Sequence, residues 1–228
     1  MIFKRITLIG LGLMASSIAL SVKEKWKKVE VKGYDISPKV RNSARRLEFC
    51  DVRDNLKEAV EETNLIILCV PVGQMAEVVK ALSGKISSDM IITDVGSVKL
   101  SLIENLMPIL KENKNLFVPG HPIAGTENSG PDSGFLGLFS GRWCILTPID
   151  ITDANAVKKV KEFWIALGMK IKVMPPEHHD LVLAVTSHAP HLIAYTMVGV
   201  ADDLEAITKS EIINYSAAGF RDFTRIAA

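Results

Sequence analysis

Three groups of residues in this chain have types and spacings that chemistry could use. His121 stands in "PGHPIAGTENSG", Pro119 to Gly130, a Gly/Pro-rich connection just past an apolar run, where an imidazole gains little from packing. An imidazole there suits the taking or giving of a proton near neutral pH. Ser97, in "TDVGSVK", follows another apolar run in the same manner and offers a hydroxyl, with helix capping as its alternative use. The third group is "GLGLMA", which sets Gly10, Gly12 and Ala15 in the G-x-G-x-x-G/A pattern that brings backbone amides against a pyrophosphate.

In that pattern Gly10 allows a sharp turn, Gly12 removes a side chain where phosphates would lie, and Ala15 lets helix and strand close up. Leu13 and Met14 in the first helical turn, and Val70 and Pro71 at the end of "LIILCVP", complete the residues expected to contact the cofactor. Asp35 comes 20 residues after Ala15, where a carboxylate can accept hydrogen bonds from an adenosine ribose. The same charge repels a 2′-phosphate and so favours NAD over NADP, with Lys39 and Arg41 nearby as opposing charges.

Four of the five histidines fall between His178 and His191, which raises the question of a metal. Neither H-E-x-x-H nor a Cys/His pair with zinc spacing is present, and no metal is expected. In "SHAPH", Ser187 and His191 are four apart and share a face if the segment is helical.

These residues need elements to hold them. "RITLIG", "VEVKGYD", "LIILCVP", "MIITDVG", "LFVPG" and "CILTP" are apolar on both faces and predict buried strands, with "MKIKVMP" as a last one. Amphipathic segments lie between them, one with Ser37 as N-cap and Pro38 at the first helical position, another with Ser97 as its cap. The alternation predicts an α/β fold, a Rossmann-type, doubly wound and mostly parallel sheet, followed by a smaller all-α domain. On this reading His121 follows the fifth strand, at the sheet edge where ligands of such folds bind. After Pro176 no strand-like run appears, and "HHDLVLAVTSHAPHLIAYTMVGVADDL" has a helical period with Pro190 set to kink or divide it. The expected domains are residues 1–175 and 176–228.

Composition narrows the function classes. With 27 basic and 26 acidic residues in 228 the formal charge is +1, so there is no electrostatic case for nucleic acid or an anionic membrane surface. "LIGLGLMASSIALSV" is broken by glycines and serines and falls short of a span. Cys50, Cys69 and Cys144 are scattered and near apolar runs, which fits free thiols in a reducing compartment, the cytoplasm.

"GLGLMASSIA", "DVGSVK", "GHPIAGTENSG", "EHHDLVLAVTSHAPH" and "AAGFRDFTR" occur in this order, and together the chain resembles the prephenate/arogenate dehydrogenase family of tyrosine biosynthesis. The resemblance implies an NAD-dependent oxidative decarboxylation of prephenate to 4-hydroxyphenylpyruvate, and a homodimer formed through the helical domain. It implies that His121 accepts the ring hydroxyl proton and that Ser97 orients this histidine and touches the nicotinamide. Proton acceptance needs a neutral imidazole, which an ordinary value of about 6.5 allows. It assigns Arg225 to a substrate carboxylate, Thr126 and Glu127 to the pocket mouth, and Ser187 and His191 to the substrate. Arg221 is expected at the surface, and His179 with Asp180 is expected to cap and orient the first helix of the second domain.

Relative to the family, Ala189 stands where a leucine is common, and the sequence stops at Ala228, short of helices that complete the helical domain. That stop leads to the expectation of an incomplete helical domain. Three alternatives stay open. Arogenate carries an amino group in place of the keto oxygen. A β-hydroxyacid-type dehydrogenase would use a lysine base, but no lysine lies between Lys172 and Lys209. The last is a nucleotide-binding module without turnover.

Overall fold

The computed structural model describes residues 2–208 and 211–227. Six parallel strands form the main sheet: β1 (Arg5–Ile9), β2 (Glu30–Tyr34), β3 (Asp51–Val52), β4 (Leu65–Leu68), β5 (Ile91–Asp94) and β6 (Phe117–Val118). Their order is β3-β2-β1-β4-β5-β6, the doubly wound arrangement whose direction of winding reverses between β1 and β4. Helices α1 (Leu13–Lys25), α2 (Pro38–Leu47), α3 (Leu56–Ala59), α4 (Val72–Ala81) and α5 (Leu100–Leu110) make the crossovers.

Both faces of the sheet are covered, which is why the central strand β4 is apolar and buried at every position. Ile6, Leu8, Leu65 and Ile67 pack with Ala15, Ile18 and Val22 of α1. Ile9, Ile66 and Leu68 point the other way, against Met75 and Val79 of α4 and Leu102 and Leu106 of α5. Ser37 caps α2 as expected, its hydroxyl accepting from Val40 N at 3.4 Å with Pro38 in the first turn.

Four expectations need correction. The two-residue β3 carries too little pattern to be seen in "CDVRDN", so His121 lies past the sixth strand rather than the fifth. "LFVPG" is not one strand. It is divided at Pro119 into β6 and β7 (Gly120–Pro122), because proline has no N–H to continue the ladder. "CILTP" and "MKIKVMP" do not extend the main sheet. They form β8 (Trp143–Leu146) and β9 (Lys170–Val173) of a second, three-stranded sheet, with β7 antiparallel to β8 and β8 parallel to β9. Helix α6 (Ala154–Ala166) joins the last two and buries Val160, Phe163 and Trp164 in the first core. Ser97 caps no helix: α5 starts at Leu100, with Lys99 in the N-cap position and no side-chain cap bond.

The chain divides into two compact units, Met1–His179 and Asp180–Ala228. A helical run begins with α7 (Pro176–Leu183), passes through a π-helical turn at Ala184–His188, and continues as α8 (Ala189–Thr208). Pro190 therefore neither divides nor ends the run. The wider turn, in which Ala189 N bonds Ala184 O, absorbs the loss of a donor at Pro190. Within the second unit, α9 (Glu211–Asn214), α10 (Ala218–Thr224) and the 3₁₀ turn Arg225–Ala227 pack on α8.

Among the described residues one helix, Pro176–Leu204, with mean hydropathy 1.4, has the length and composition to cross a membrane, and 11% of its apolar window is buried. Leu192 (69% exposed), Ile193 (51%) and Tyr195 (58%) are part of this open apolar surface.

Candidate active site

The first part of the site lies where the winding of the sheet reverses. A cavity of about 570 Å³ opens at the carboxyl ends of β1, β2 and β4, lined among others by Gly10, Gly12, Asp35, Val70 and Pro71. Five of the residues expected at a cofactor thus meet at one place. Leu13 and Met14 do not line it; they are half-buried and pack on the core.

Local geometry explains the glycines. Gly10 has φ +89°, and a Cβ there would lie 2.8 Å from Val70 N and 2.9 Å from the Cys69 carbonyl carbon, so no other residue fits between β1 and β4. At Gly12 a Cβ would meet nothing within 4 Å: the space in front of it is open, as an approaching phosphate requires. Gly12 is also the N-cap of α1, without a side-chain cap bond, and the first turn of that helix has no acidic residue to compete for its N–H groups.

Asp35 braces the same turn. Its Oδ2 accepts from Leu11 N at 2.9 Å and its Oδ1 from Ser37 N at 2.8 Å, which fixes the carboxylate at the cavity wall. Arg41 is held by Asp54 at 3.0 Å and by the Asp35 and Ile36 carbonyls, over the Tyr34 ring. Cys69 also lines the cavity, but burial, and then the Asp94 charge, push its thiol far above the ordinary range and leave it no nucleophile. The residues fit a dinucleotide.

The second part of the site is built on β7. Gly120 is clamped on both sides of its backbone: its N–H donates to Asp94 Oδ1 at 3.0 Å, and its carbonyl accepts from Lys99 Nζ at 2.8 Å. Asp94 and Lys99 are themselves fully buried and ion-paired, and Asp94 Oδ2 also accepts from Gly96 N at 2.8 Å. This brace leads directly into His121, which is half-buried and paired with Ile145 across the second sheet.

His121 is thus a strand residue, not a loop residue. Its Nδ1 faces Nε2 of His179 at 2.9 Å, the rings in an edge contact 5.1 Å apart. His179 is fully buried, inside α7. Asp94 and Lys99 lie in "TDVGSVK" and the two histidines in "GHPIAGTENSG" and "EHHDLVLAVTSHAPH", but nothing in those stretches tells which side chains meet. The pairing signal available is a charged residue in or beside an apolar run and a histidine at an apolar position of a helical pattern.

Ser97 is exposed at the rim that follows β5. Thr126 and Glu127 are exposed past β7, where Thr126 Oγ1 accepts from Asn128 N at 3.2 Å and closes a tight turn. In the helical unit, His191 is exposed and its Nδ1 bonds the backbone carbonyl of Ser187 at 2.8 Å, one turn earlier. Arg225 stands at the end of α10 and Arg221 one turn before it, both exposed. Among the described residues no three His, Cys, Asp or Glu gather as metal ligands.

Residues 18–173 match the family model described as prephenate dehydrogenase, nucleotide-binding domain, and residues 175–228 match prephenate dehydrogenase, dimerization domain. The chain belongs to the prephenate dehydrogenase family. It is 46% identical over its whole length to a cyclohexadienyl dehydrogenase of Zymomonas mobilis subsp. mobilis, of which it spans 77%. It is 35% identical over 98% of its length to a prephenate dehydrogenase of Bacillus subtilis, of which it spans 60%. Among solved structures it resembles the prephenate dehydrogenase of A. aeolicus in complex with hydroxyphenyl propionate and NAD+, with TM-score 0.87 and 35% identity over 98% of this chain and 78% of that one. This family membership accounts for the order of motifs from the glycine turn to "GFRDFTR".

Proposed function

We propose that the chain oxidatively decarboxylates prephenate to 4-hydroxyphenylpyruvate, with NAD as the cofactor. The observation that carries this reading is His121 on a braced strand of a unit whose glycine turn and Asp35 fit a dinucleotide. NAD, when bound, supplies the hydride acceptor. His121 accepts the proton of the ring hydroxyl through Nε2, and Ser97 helps to orient the reacting groups at the same sheet edge. Loss of CO₂ is driven by formation of the aromatic ring, so the protein contributes positioning and charge neutralisation. Arg225 offers a planar fork to a substrate carboxylate, His191 and Ser187 contact the substrate, and Thr126 and Glu127 line the mouth of its pocket.

Arogenate is the second reading, left open by the Zymomonas relative, whose name specifies the cyclohexadienyl ring and not the side chain upon it. The match to a dimerization domain and the open apolar surface of α8 support a homodimer through the helical unit. Three unbridged cysteines support a reducing compartment, the cytoplasm.

Steady-state rates with prephenate and with arogenate, each with NAD and with NADP, test the proposal. The expected result is the highest kcat/KM with prephenate and NAD. A higher value with arogenate would transfer the activity to that substrate, and no nicotinamide reduction with either would leave a binding module.

A further inference from the structure

We propose that Arg41 is a positioning residue for the adenosine end of the dinucleotide cavity, its charge matched by Asp54, so that the Asp35 carboxylate and not the Arg41 cation decides between NAD and NADP. The idea rests on the cavity taking a nicotinamide dinucleotide, whatever the substrate. Tyr34, Asp35 and Ile36 are consecutive residues of its wall, and Arg41 is not part of that wall. Arg41 nevertheless touches all three. Its guanidinium carbon lies 5.8 Å from the centre of the Tyr34 ring, and its Nη1 donates to the Asp35 carbonyl at 2.7 Å and to the Ile36 carbonyl at 3.1 Å.

The bond to Ile36 bears on Asp35 itself. The Ile36 carbonyl and the Ser37 N–H belong to one planar peptide unit. Arg41 holds the oxygen of that unit, while its N–H donates to Asp35 Oδ1 at 2.8 Å. Leu11 N donates to Oδ2 at 2.9 Å, so a backbone donor holds each carboxylate oxygen. An ionised carboxylate has about four acceptor sites, which leaves room for ribose hydroxyls. Arg41 thus fixes the peptide that aims the carboxylate. Asp54 governs the cation: its Oδ1 accepts from Arg41 Nε at 3.0 Å and its Oδ2 from Arg45 Nη2 at 2.7 Å, with the Arg41 side chain 14% exposed and that of Asp54 71%. The anion therefore sits on the solvent side of a largely buried guanidinium and holds it in place. A 2′-phosphate beside Asp35 would meet the repulsion of that carboxylate, with the Arg41 charge already matched.

Calorimetric titration of the full chain with NAD and with NADP, each without substrate, tests this. Arg41→Met is expected to weaken NAD binding about tenfold and NADP binding by no larger factor. Arg45→Met, which removes the other bridge to Asp54, should stay within about twofold of the wild type for NAD. Asp54→Asn changes only an exposed side chain and so keeps the fold. It leaves the Arg41 charge unmatched, and is expected to raise NADP affinity relative to NAD about fivefold, with a smaller gain at high salt. Arg41→Met weakening NADP more than NAD would make Arg41 a phosphate-binding cation and overturn the proposal. An NAD affinity unchanged by Arg41→Met, or a ratio unmoved by Asp54→Asn, would overturn it too. A wild type that binds neither dinucleotide would overturn the reading of the cavity as well.

Discussion

His121 and Arg225 divide the proposed reaction between proton transfer and charge recognition, and substitutions separate the two. His121→Asn removes the base but no atom of the dinucleotide cavity. NAD affinity is expected to stay nearly intact while turnover falls by about 10²-fold or more. An equal loss of NAD binding, measured by titration, would remove that assignment. Arg225→Gln keeps a polar side chain of similar length and loses the charge and the fork, so the KM for substrate is expected to rise far more than that for NAD. An unchanged substrate KM would give the carboxylate to another cation. At this scale the dinucleotide residues are legible in the sequence because Gly10, Gly12 and Ala15 belong to a single turn. The partner of His121 is not, because it lies 58 residues away and is set beside it only by the packing of α7.

The elements hold these side chains through two backbone devices. The first is the β1-to-α1 turn: Gly10→Ala would force a left-handed backbone costing about 1–2 kcal/mol, and its methyl would press on the backbone at Cys69 and Val70. The expected outcome is a lower Tm together with NAD affinity weakened by more than tenfold. The second is the buried Asp94–Lys99 pair. Lys99→Met leaves a buried carboxylate without its cation and is expected to destabilise the fold by about 3–5 kcal/mol in denaturant titration. A loss under about 1 kcal/mol would show that the brace contributes little. Most strands and crossovers are legible because they are buried on both faces and bounded by turn residues. β3 has only two paired residues, and β7 is parted from β6 by one proline, so neither has a period to read. The turn of the chain into a second sheet is decided by tertiary pairing with β8, which local pattern does not encode.

For the whole molecule, the open apolar surface of α8 and the match to a dimerization domain call for a native mass of twice the 25.0 kDa chain. Sedimentation should report that dimer, and Leu192→Glu, which sets a charge in its exposed apolar surface, should shift it toward monomer. A monomeric wild type would remove the proposed role of that surface. The proposed reaction passes hydrogen from the hydroxyl-bearing ring carbon of prephenate to NAD with release of CO₂. Prephenate carrying deuterium on that carbon tests it most directly, by mass analysis of the nicotinamide product and measurement of the CO₂. The account predicts one deuterium in each reduced nicotinamide and one CO₂ for each. Reduced nicotinamide without the label, or label retained in unreacted prephenate with no CO₂ formed, would contradict it.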